Sequence, residues 1–153
     1  MTILARDIMT KEVITVHPGD DVEKVARLLI EHNISGLPVT DLEGKVLGVI
    51  SEGDLVIREK EIKAPAYGEI LGAVFYLESQ KKFFEDLKRT IARNVEELMS
   101  KKVYTVGPEA AVPEISALMV KKGINRVPVV DKDNKLLGIV SRQDIIKAAV
   151  QNG

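Results

Sequence analysis

Two serine–aspartate pairs are the residues whose type and spacing best suit chemistry in this chain. Ser51 precedes Asp54 and Ser141 precedes Asp144, and each pair follows a glycine and two aliphatic residues. This pattern is typical of a strand that runs directly into a helix. In one interpretation the pair is a capping box, with the aspartate bonded back to the serine amide. In the other, the helix N-terminus and the serine hydroxyl hold a phosphate, while the aspartate binds both hydroxyls of a ribose. The spacing leaves both interpretations open.

No other segment has the spacing of a catalytic or metal site. The chain contains no cysteine, which excludes disulfides, thiolate metal sites and thiol nucleophiles. Its two histidines, His17 and His32, lie on different predicted elements and lack the spacing of a zinc helix. No glycine-rich nucleotide loop occurs. We therefore predict a protein that is not an enzyme, with no catalytic residues and no metal site.

The remaining acidic clusters have simple structural explanations. Asp20-Asp21 and Glu96-Glu97 lie at predicted helix starts, where the helix dipole favours carboxylates. The segment 131–134 lacks the later ligands of a calcium loop and falls in a predicted hairpin turn. We expect helix starts and a turn at these positions.

Composition describes a folded soluble protein. Of the 153 residues, 45% are hydrophobic and 29% charged, and the formal net charge is −1. The absence of a basic excess argues against nucleic acid or an anionic membrane as partner. Arg6 and Asp7 interrupt any signal-peptide core, and the longest apolar run, 70–77, is too short to span a bilayer. The expected location is the cytoplasm.

An internal repeat organises the chain. Residues 5–58 align without a gap on 95–148, with 17 identical pairs among 54 positions. Two copies are too few for a solenoid, so we predict two similar halves that pack through a pseudo-twofold axis. The predicted boundaries are 1–58 for the first repeat, 59–94 for a helical connector and 95–153 for the second repeat.

Each copy predicts the order β-α-β-β-α. A β-branched run is followed by a turn and by apolar residues at helical spacing, with a helix stop at Asn33 or Gly123. Two strands with a tight turn and a last helix from Ser51 or Ser141 follow. The predicted strands are 13–16, 37–40 and 45–50 in the first copy, and 103–106, 127–130 and 135–140 in the second.

The connector differs from both repeats because it holds five of the six aromatic residues. Ser79 is a candidate cap for a helix whose apolar stripe runs from Phe84 through Ile91 to Leu98. This helix either packs on its own chain or contacts a second subunit; the pattern leaves both open.

In its shared motifs the chain resembles a tandem cystathionine-β-synthase (CBS) domain pair, also called a Bateman module. The resemblance rests on motifs that occur in order in both copies: Asp7-Ile-Met-Thr10 and Glu97-Leu-Met-Ser100, the segments 33–41 and 123–131 with their shared Pro-Val pair, and the two Gly-x-x-Ser-x-x-Asp ends. It implies an α+β fold of two β-α-β-β-α repeats packed through their sheets, plus the inserted helical connector. It further implies clefts that bind adenosine compounds such as AMP, ADP, ATP or S-adenosylmethionine, with magnesium possible beside ATP, and a homodimer that regulates another protein.

The same resemblance implies the site residues of two clefts. In each, the serine would hold phosphate, the aspartate would bind ribose, and strand backbone with apolar side chains would surround the base. The first cleft would use Val13, Ile14, Ile34, Ser35, Gly36, Leu37, Pro38, Ser51 and Asp54. The second would use Val103, Tyr104, Ile124, Asn125, Arg126, Val127, Pro128, Ser141, Arg142 and Asp144.

The copies differ in charge where a phosphate would bind. Residues 1–58 carry 6 basic and 10 acidic side chains, whereas residues 95–153 carry 9 and 7. Arg126 and Arg142 replace Gly36 and Glu52 of the first copy. We predict that the second cleft is the better nucleotide site, although these charges are also compatible with solvated helix faces.

Two functions stay open at this point. The first is a stand-alone regulatory module that binds an adenosine ligand and signals to a separate partner protein. The alternative is a structural dimerisation module without a ligand, in which both serine–aspartate pairs serve only as helix caps.

Overall fold

The computed structural model describes residues 2–56 and 72–152, so the predicted connector residues 59–71, Tyr67 among them, lie outside it. The described chain is a mixture of helices and short antiparallel strands, which confirms the predicted α+β class. The helices are α1 (Ala5–Ile8), α2 (Val22–Glu31), α3 (Glu52–Val56), α4 (Gly72–Ile91), α5 (Val95–Leu98), α6 (Val112–Lys122) and α7 (Arg142–Gln151). The strands are β1 (Gly36–Thr40), β2 (Val46–Ser51), β3 (Arg126–Val130) and β4 (Leu136–Ser141).

The two long repeat helices end where the sequence predicts. Asn33 follows α2 with a φ of 50°, and Gly123 caps α6 with a φ of 64°. Glycine adopts this left-handed conformation without strain and asparagine tolerates it, so both residues stop a helix efficiently. At the other end, Asp21 occupies the N-cap of α2 but its side chain makes no capping bond.

Hairpins β1–β2 and β3–β4 form two-stranded sheets. In both turns an aspartate side chain accepts two backbone N–H groups, from Glu43 and Lys45 to Asp41 and from Asp133 and Lys135 to Asp131. The segment 131–134 is therefore the predicted turn. The two hairpins also bond to each other, since the Asn134 side-chain amide in one turn donates to the carbonyl of Val46, the first residue of β2, at 2.9 Å.

The first predicted strand of each copy is shorter than expected. In the second copy, pairing is reduced to a parallel bridge between Val106 and Val129. The Val106 N–H donates to the Pro128 carbonyl at 3.1 Å, and the Val130 N–H donates to the Val106 carbonyl at 2.9 Å.

The predicted helix from Ser79 to Leu98 is wrong at both ends. Helix α4 begins before Ser79 and stops at Ile91, and α5 is a separate helix. The break has a physical cause: Asn94 is extended and bridges Asp21, and the Val95 N–H donates to the Asp20 carbonyl at 2.9 Å. These backbone bonds hold Asn94 in an extended conformation that a continuous helix would not allow.

The chain divides into two compact units that do not follow the order of the sequence. Unit 1 contains Met1–Thr15, Pro38–Val49 and Lys101–Gly153, and unit 2 contains Val16–Leu37 and Ile50–Ser100. Strands β1 and β2 contribute to both. The predicted boundaries at 58 and 95 remain predictions, because they describe the repeats along the chain and not these units.

Unit 1 is organised around a core made mainly by the second repeat. Its buried members include Ala5, however, which comes from the first repeat. Helix α1 is tied to this unit by the Ala5 N–H, which donates to the Ala110 carbonyl at 2.8 Å, and by the Val112 N–H, which donates to the Ile3 carbonyl at 3.0 Å. The other buried core residues are Ile115, Met119, Val127, Val129 and Val140.

Unit 2 is built in the same way with the repeats exchanged: a short helix of the second repeat joins the first repeat. Helix α5, from the start of the second repeat, is tied to the first: the Val95 N–H donates to the Asp20 carbonyl and the Glu96 N–H to the Pro18 carbonyl. Helix α2 packs against α3 and α4. The buried aliphatic residues of this unit include Val22, Val25, Leu29, Leu37, Ile50, Leu55, Val95 and Leu98.

Asp20 makes the stability of unit 2 dependent on pH. The His17 N–H donates to its carboxylate at 2.8 Å, and this bond, together with nearby Lys24, holds the pKa of Asp20 below its ordinary value. A carboxyl group whose pKa is lowered by folding stabilises the fold above its unfolded pKa, and that contribution is lost as pH falls through the folded pKa. We expect Asp20→Asn to lower the urea midpoint at pH 7 and to lose less stability than the wild type between pH 5 and pH 2. Equal losses of the free energy of unfolding in the two proteins between pH 5 and pH 2 would contradict this.

Candidate functional site

The Ser141 and Asp144 side chains form a complete capping box at the start of α7. The Ser141 N–H donates to Asp144 Oδ2 at 2.8 Å, and the Asp144 N–H donates back to Ser141 Oγ at 3.2 Å. Ser141 Oγ also donates to Asp144 Oδ2 at 3.0 Å. Both bonds that the Asp144 carboxylate accepts use Oδ2, so the capping interpretation is correct for one carboxylate oxygen. Both side chains are half-buried and reach solvent.

The first copy builds nearly the same arrangement at the start of α3. The Ser51 N–H and Ser51 Oγ both donate to Asp54 Oδ2, at 2.9 and 3.2 Å. The Glu52 N–H donates to the Ser35 carbonyl at 2.9 Å, which ties the helix start to the residue before β1. Because the motif closes locally in both copies, its geometry depends on short-range bonds that the sequence alone predicts.

Arg126 faces the Ser141 end of this motif. In the antiparallel β3–β4 pair, Arg126 lies opposite Ser141, and Pro128 lies opposite Ile139. Directly opposed residues project to the same face of the sheet. The Arg142 N–H donates to the Asn125 carbonyl at 3.0 Å. A guanidinium and a serine hydroxyl on one face, next to a helix N-terminus, are suited to an anionic group.

Tyr104 is held by a lysine of α6. Lys122 Nζ lies 5.0 Å from the centre of the Tyr104 ring, within the range of a cation–π contact. Tyr104 and Val103 come just before Val106, whose bridge to Val129 of β3 is parallel. Val127 is buried in the core, which leaves its backbone rather than its side chain for any ligand.

Asp144 also lines an open groove that the sequence did not predict. The groove has a volume of about 510 Å³, within the usual size of ligand sites. Asp144 is the one predicted site residue in its wall. The other lining residues belong to the N-terminal segment and to α7: Thr2, Ile3, Asp7, Ile8, Lys147, Ala148, Gln151 and Asn152.

The wall from α1 was missed because the repeat alignment assigns residues 5–10 to the first copy. The structure joins this segment to the second: Thr10 and Ile139 exchange two backbone hydrogen bonds, of 2.9 and 3.0 Å. Met9 packs against the same strand, at Gly138. No local pattern in residues 5–10 shows which repeat they contact.

The two predicted residue sets are distributed differently over the units. The second set, from Val103 to Asp144, lies entirely in unit 1. In the first set, Val13, Ile14 and Pro38 belong to unit 1, whereas Ile34, Ser35, Gly36, Leu37, Ser51 and Asp54 belong to unit 2.

Ser141 gives a stability test of the cap. Replacing it by alanine removes the acceptor of the Asp144 N–H, and loss of an N-cap side chain costs about 0.5–2 kcal/mol. We expect Ser141→Ala to lower the free energy of unfolding by this amount in urea titrations. Ser116→Ala, inside α6, is the matched control, because alanine is the better helix former there. Equal midpoints for the two variants would contradict the capping role.

The described residues also limit the type of site. Among 2–56 and 72–152, no group of three or more histidine and carboxylate side chains is placed to hold a metal ion. In the same ranges, no helix combines the length and the apolar composition needed to cross a bilayer.

Known sequences match both repeats of this chain. The family model of the CBS domain matches residues 5–61 and again 95–151. Uncharacterized protein MJ1426 of Methanocaldococcus jannaschii is 34% identical over 97% of this chain and 92% of its own length. L-aspartate semialdehyde sulfurtransferase of the same organism is 31% identical over 93% of this chain, but the match spans 22% of that enzyme's length.

Solved structures show the same fold with ligands bound. The CBS domain pair of protein MJ0100, in complex with 5′-methylthioadenosine and S-adenosyl-L-methionine, has a TM-score of 0.72 at 27% identity and covers 100% of both chains. CBSX2 in complex with AMP has a TM-score of 0.71 at 29% identity over 97% of this chain and 96% of its own.

Proposed function

Because this chain belongs to the CBS domain family, we propose that it is a regulatory module that binds an adenosine compound in the Ser141/Asp144 cleft and signals to a partner protein. The observation that carries the proposal is the pairing of Ser141 with Arg126 across β3–β4. It sets the Arg126 guanidinium on the same face of the hairpin as Ser141, whose neighbour in the cap is a half-buried carboxylate at the α7 N-terminus. Relatives of similar fold bind AMP, or S-adenosylmethionine with methylthioadenosine.

The chemistry of each group suggests which part of the ligand it would bind. Asp144 Oδ2 is committed to the cap, so the second oxygen of the carboxylate would accept ribose hydroxyls. Arg126 would bind phosphate, and the Ser141 hydroxyl would join it by turning its proton from Asp144 Oδ2 to the ligand. Tyr104 and Val103, with the β3 backbone, would surround the base. The first cleft, with Ser51 and Asp54, would bind a nucleotide more weakly. Glu52 repels a polyphosphate at the position where the second copy has Arg142.

Ligand binding is tested by thermal unfolding with AMP, ATP and S-adenosylmethionine, with CMP as a matched control for phosphate and ribose. A ligand at 100 times its dissociation constant stabilises the fold by about 2.7 kcal/mol. We expect at least one adenosine compound to raise the melting temperature and CMP to leave it unchanged. Adding ATP with and without magnesium shows whether the cation accompanies it. No shift with any of the three would reject the adenosine proposal.

The regulatory part of the proposal needs a second copy and a partner. We infer a cytoplasmic homodimer with no catalytic activity of its own, whose shape a regulated protein reads when ligand binds. Sedimentation velocity with and without AMP tests whether the ligand alters the association or the compactness of the protein.

The alternative, a ligand-free dimerisation scaffold, is favoured by one observation. Within each serine–aspartate pair, the two residues already hydrogen-bond to each other at the start of a helix. A scaffold predicts that Asp144 substitutions alter stability alone, whereas a sensor predicts that they also remove the ligand-induced rise in melting temperature.

A further inference from the structure

Residues 2–10 lie across the second repeat, and we call this segment the N-terminal strap. Its first half is tied by the Ala5 N–H, which donates to the Ala110 carbonyl at 2.8 Å. Its end is tied by Thr10, which exchanges two backbone bonds with Ile139 of β4. The strap is therefore held by main-chain bonds to residues that are distant in the chain.

Few side chains of the strap contribute to the core of unit 1. Ala5 is fully buried, and Ile8 and Met9 are half-buried against the same core. The polar side chains of the strap are exposed: Thr2, Arg6, Asp7 and Thr10. A segment with one small buried side chain and few apolar contacts opens locally at a lower free energy than its surroundings. We therefore expect the strap to open without unfolding of the whole unit.

The strap contacts the elements that carry the proposed ligand site. Ile139, its partner on β4, precedes Ser141 by two residues, and Asp144 lies in the first turn of α7. Asp144 also lines the groove of about 510 Å³, whose lining includes Ile3 and Ile8 of the strap. Opening of the strap therefore removes one wall of the groove beside Asp144. It also frees the end of β4 from its bonds to the strap.

Docking of the strap and binding of a ligand at this site require the same arrangement of residues. The bonds to the strap fix the end of β4 next to Ser141, and the groove keeps its second wall only while the strap is docked. A ligand held by Ser141 and Asp144 needs both residues in these positions. Two processes that favour one state stabilise each other, and the coupling acts equally in both directions.

We propose that the N-terminal strap is a positioning element of the proposed nucleotide site, docked firmly when the adenosine ligand binds and released more easily when the site is empty. The inference rests on the proposed function and adds a response to the ligand: occupancy of the Ser141/Asp144 site sets the order of residues 2–10. All of these residues belong to unit 1, so neither the placement of unit 2 nor a second copy is involved.

The first test is amide hydrogen exchange of the full chain with and without AMP, ATP or S-adenosylmethionine, at urea concentrations below the unfolding transition. Exchange that does not depend on urea reports local opening. A ligand at 100 times its dissociation constant slows by about 100-fold the exchange of each amide whose opening abolishes binding. We expect this slowing at Ala5, Arg6 and Thr10. The control is Asn134, whose N–H bonds to the Asp131 carbonyl in the β3–β4 turn; its exchange should change less than about threefold.

The second test is the affinity of a strap variant for the same compounds, measured by isothermal titration calorimetry. Ala5→Asp places a carboxylate in the core, and release of the strap returns that charge to water. We expect Ala5→Asp to bind at least about tenfold more weakly than wild type. Arg6→Asp is the matched control, because it introduces the same side chain one residue further along, at an exposed position. Its affinity should stay within about threefold of wild type.

Circular dichroism checks the fold of both variants, and the exchange data of the wild type decide if Ala5→Asp does not fold. A ligand that raises the melting temperature but leaves local exchange in the strap unchanged would overturn the inference and leave the proposed function intact. Wild-type affinity in a folded Ala5→Asp would do the same. A wild type that none of the three compounds stabilises would reject the proposed function, and this inference with it.

Discussion

Asp144→Ala is expected to weaken ATP binding by about 10- to 150-fold, the loss that follows removal of 1.5–3 kcal/mol of hydrogen bonds to a charged group. The carboxylate is half-buried, and the cap occupies Oδ2 alone. Under the proposed function, its remaining oxygen binds the ribose. The measurement is isothermal titration calorimetry of each variant with ATP.

Asp54→Ala is the matched variant, since it removes the equivalent residue of the first copy and the same type of bond to Ser51. We expect it to change the affinity of the main ATP site by less than about threefold, because Glu52 disfavours a polyphosphate there. Asp144→Asn separates the two roles of the carboxylate. Its amide oxygen still accepts the Ser141 N–H, so stability is largely kept while the charged bonds to ribose are lost. Equal losses of affinity for Asp54→Ala and Asp144→Ala would reject the predicted asymmetry of the clefts.

Gly138→Ala is expected to lower the free energy of unfolding by about 1–3 kcal/mol, the usual cost of overpacking. A Cβ at this position would lie 2.6 Å from Met9 Sδ and 3.0 Å from the Thr10 carbonyl oxygen. The Met9 side chain can move, but the Thr10 carbonyl is fixed because it accepts the Ile139 N–H at 3.0 Å. The strain therefore acts on the contact that holds the N-terminal segment on β4.

Urea unfolding and amide exchange together measure this effect. In Gly138→Ala, the amides of Thr10 and Ile139 should exchange faster than in wild type, because their mutual bonds are weakened. Met9→Ala/Gly138→Ala should recover part of the lost stability, since it removes the sulfur from the clash. Gly107→Ala is the control: nothing lies within 4 Å of its added Cβ, so its effect should stay within about 0.5 kcal/mol. Unfolding of Gly138→Ala at the same urea midpoint as Gly107→Ala would contradict the contact.

Local features could be predicted because their determinants are adjacent in the chain. The capping box at Ser141, the left-handed stops at Asn33 and Gly123 and the aspartate turns at Asp41 and Asp131 each depend on residues within four positions. Helical periodicity located α2 and α6 for the same reason. The prediction of the connector helix was wrong because it depended on a distant contact. The bonds to Asp20 and Asp21 end the helical path before α5.

The sequence by itself determined the duplicated α-β-β-α order that begins at α2 and at α6, the family, and the residue types at each helix entrance. Tertiary structure alone decided that α1 packs with the second repeat and α5 with the first, and hence that Asp144 faces a groove walled by the N-terminal segment. The physical reason is the repeat itself. Helices α1 and α5 have four residues each and similar apolar patterns, so either could fill either core locally. The choice is made by long-range backbone bonds, such as Ala5 to Ala110 and Val95 to Asp20.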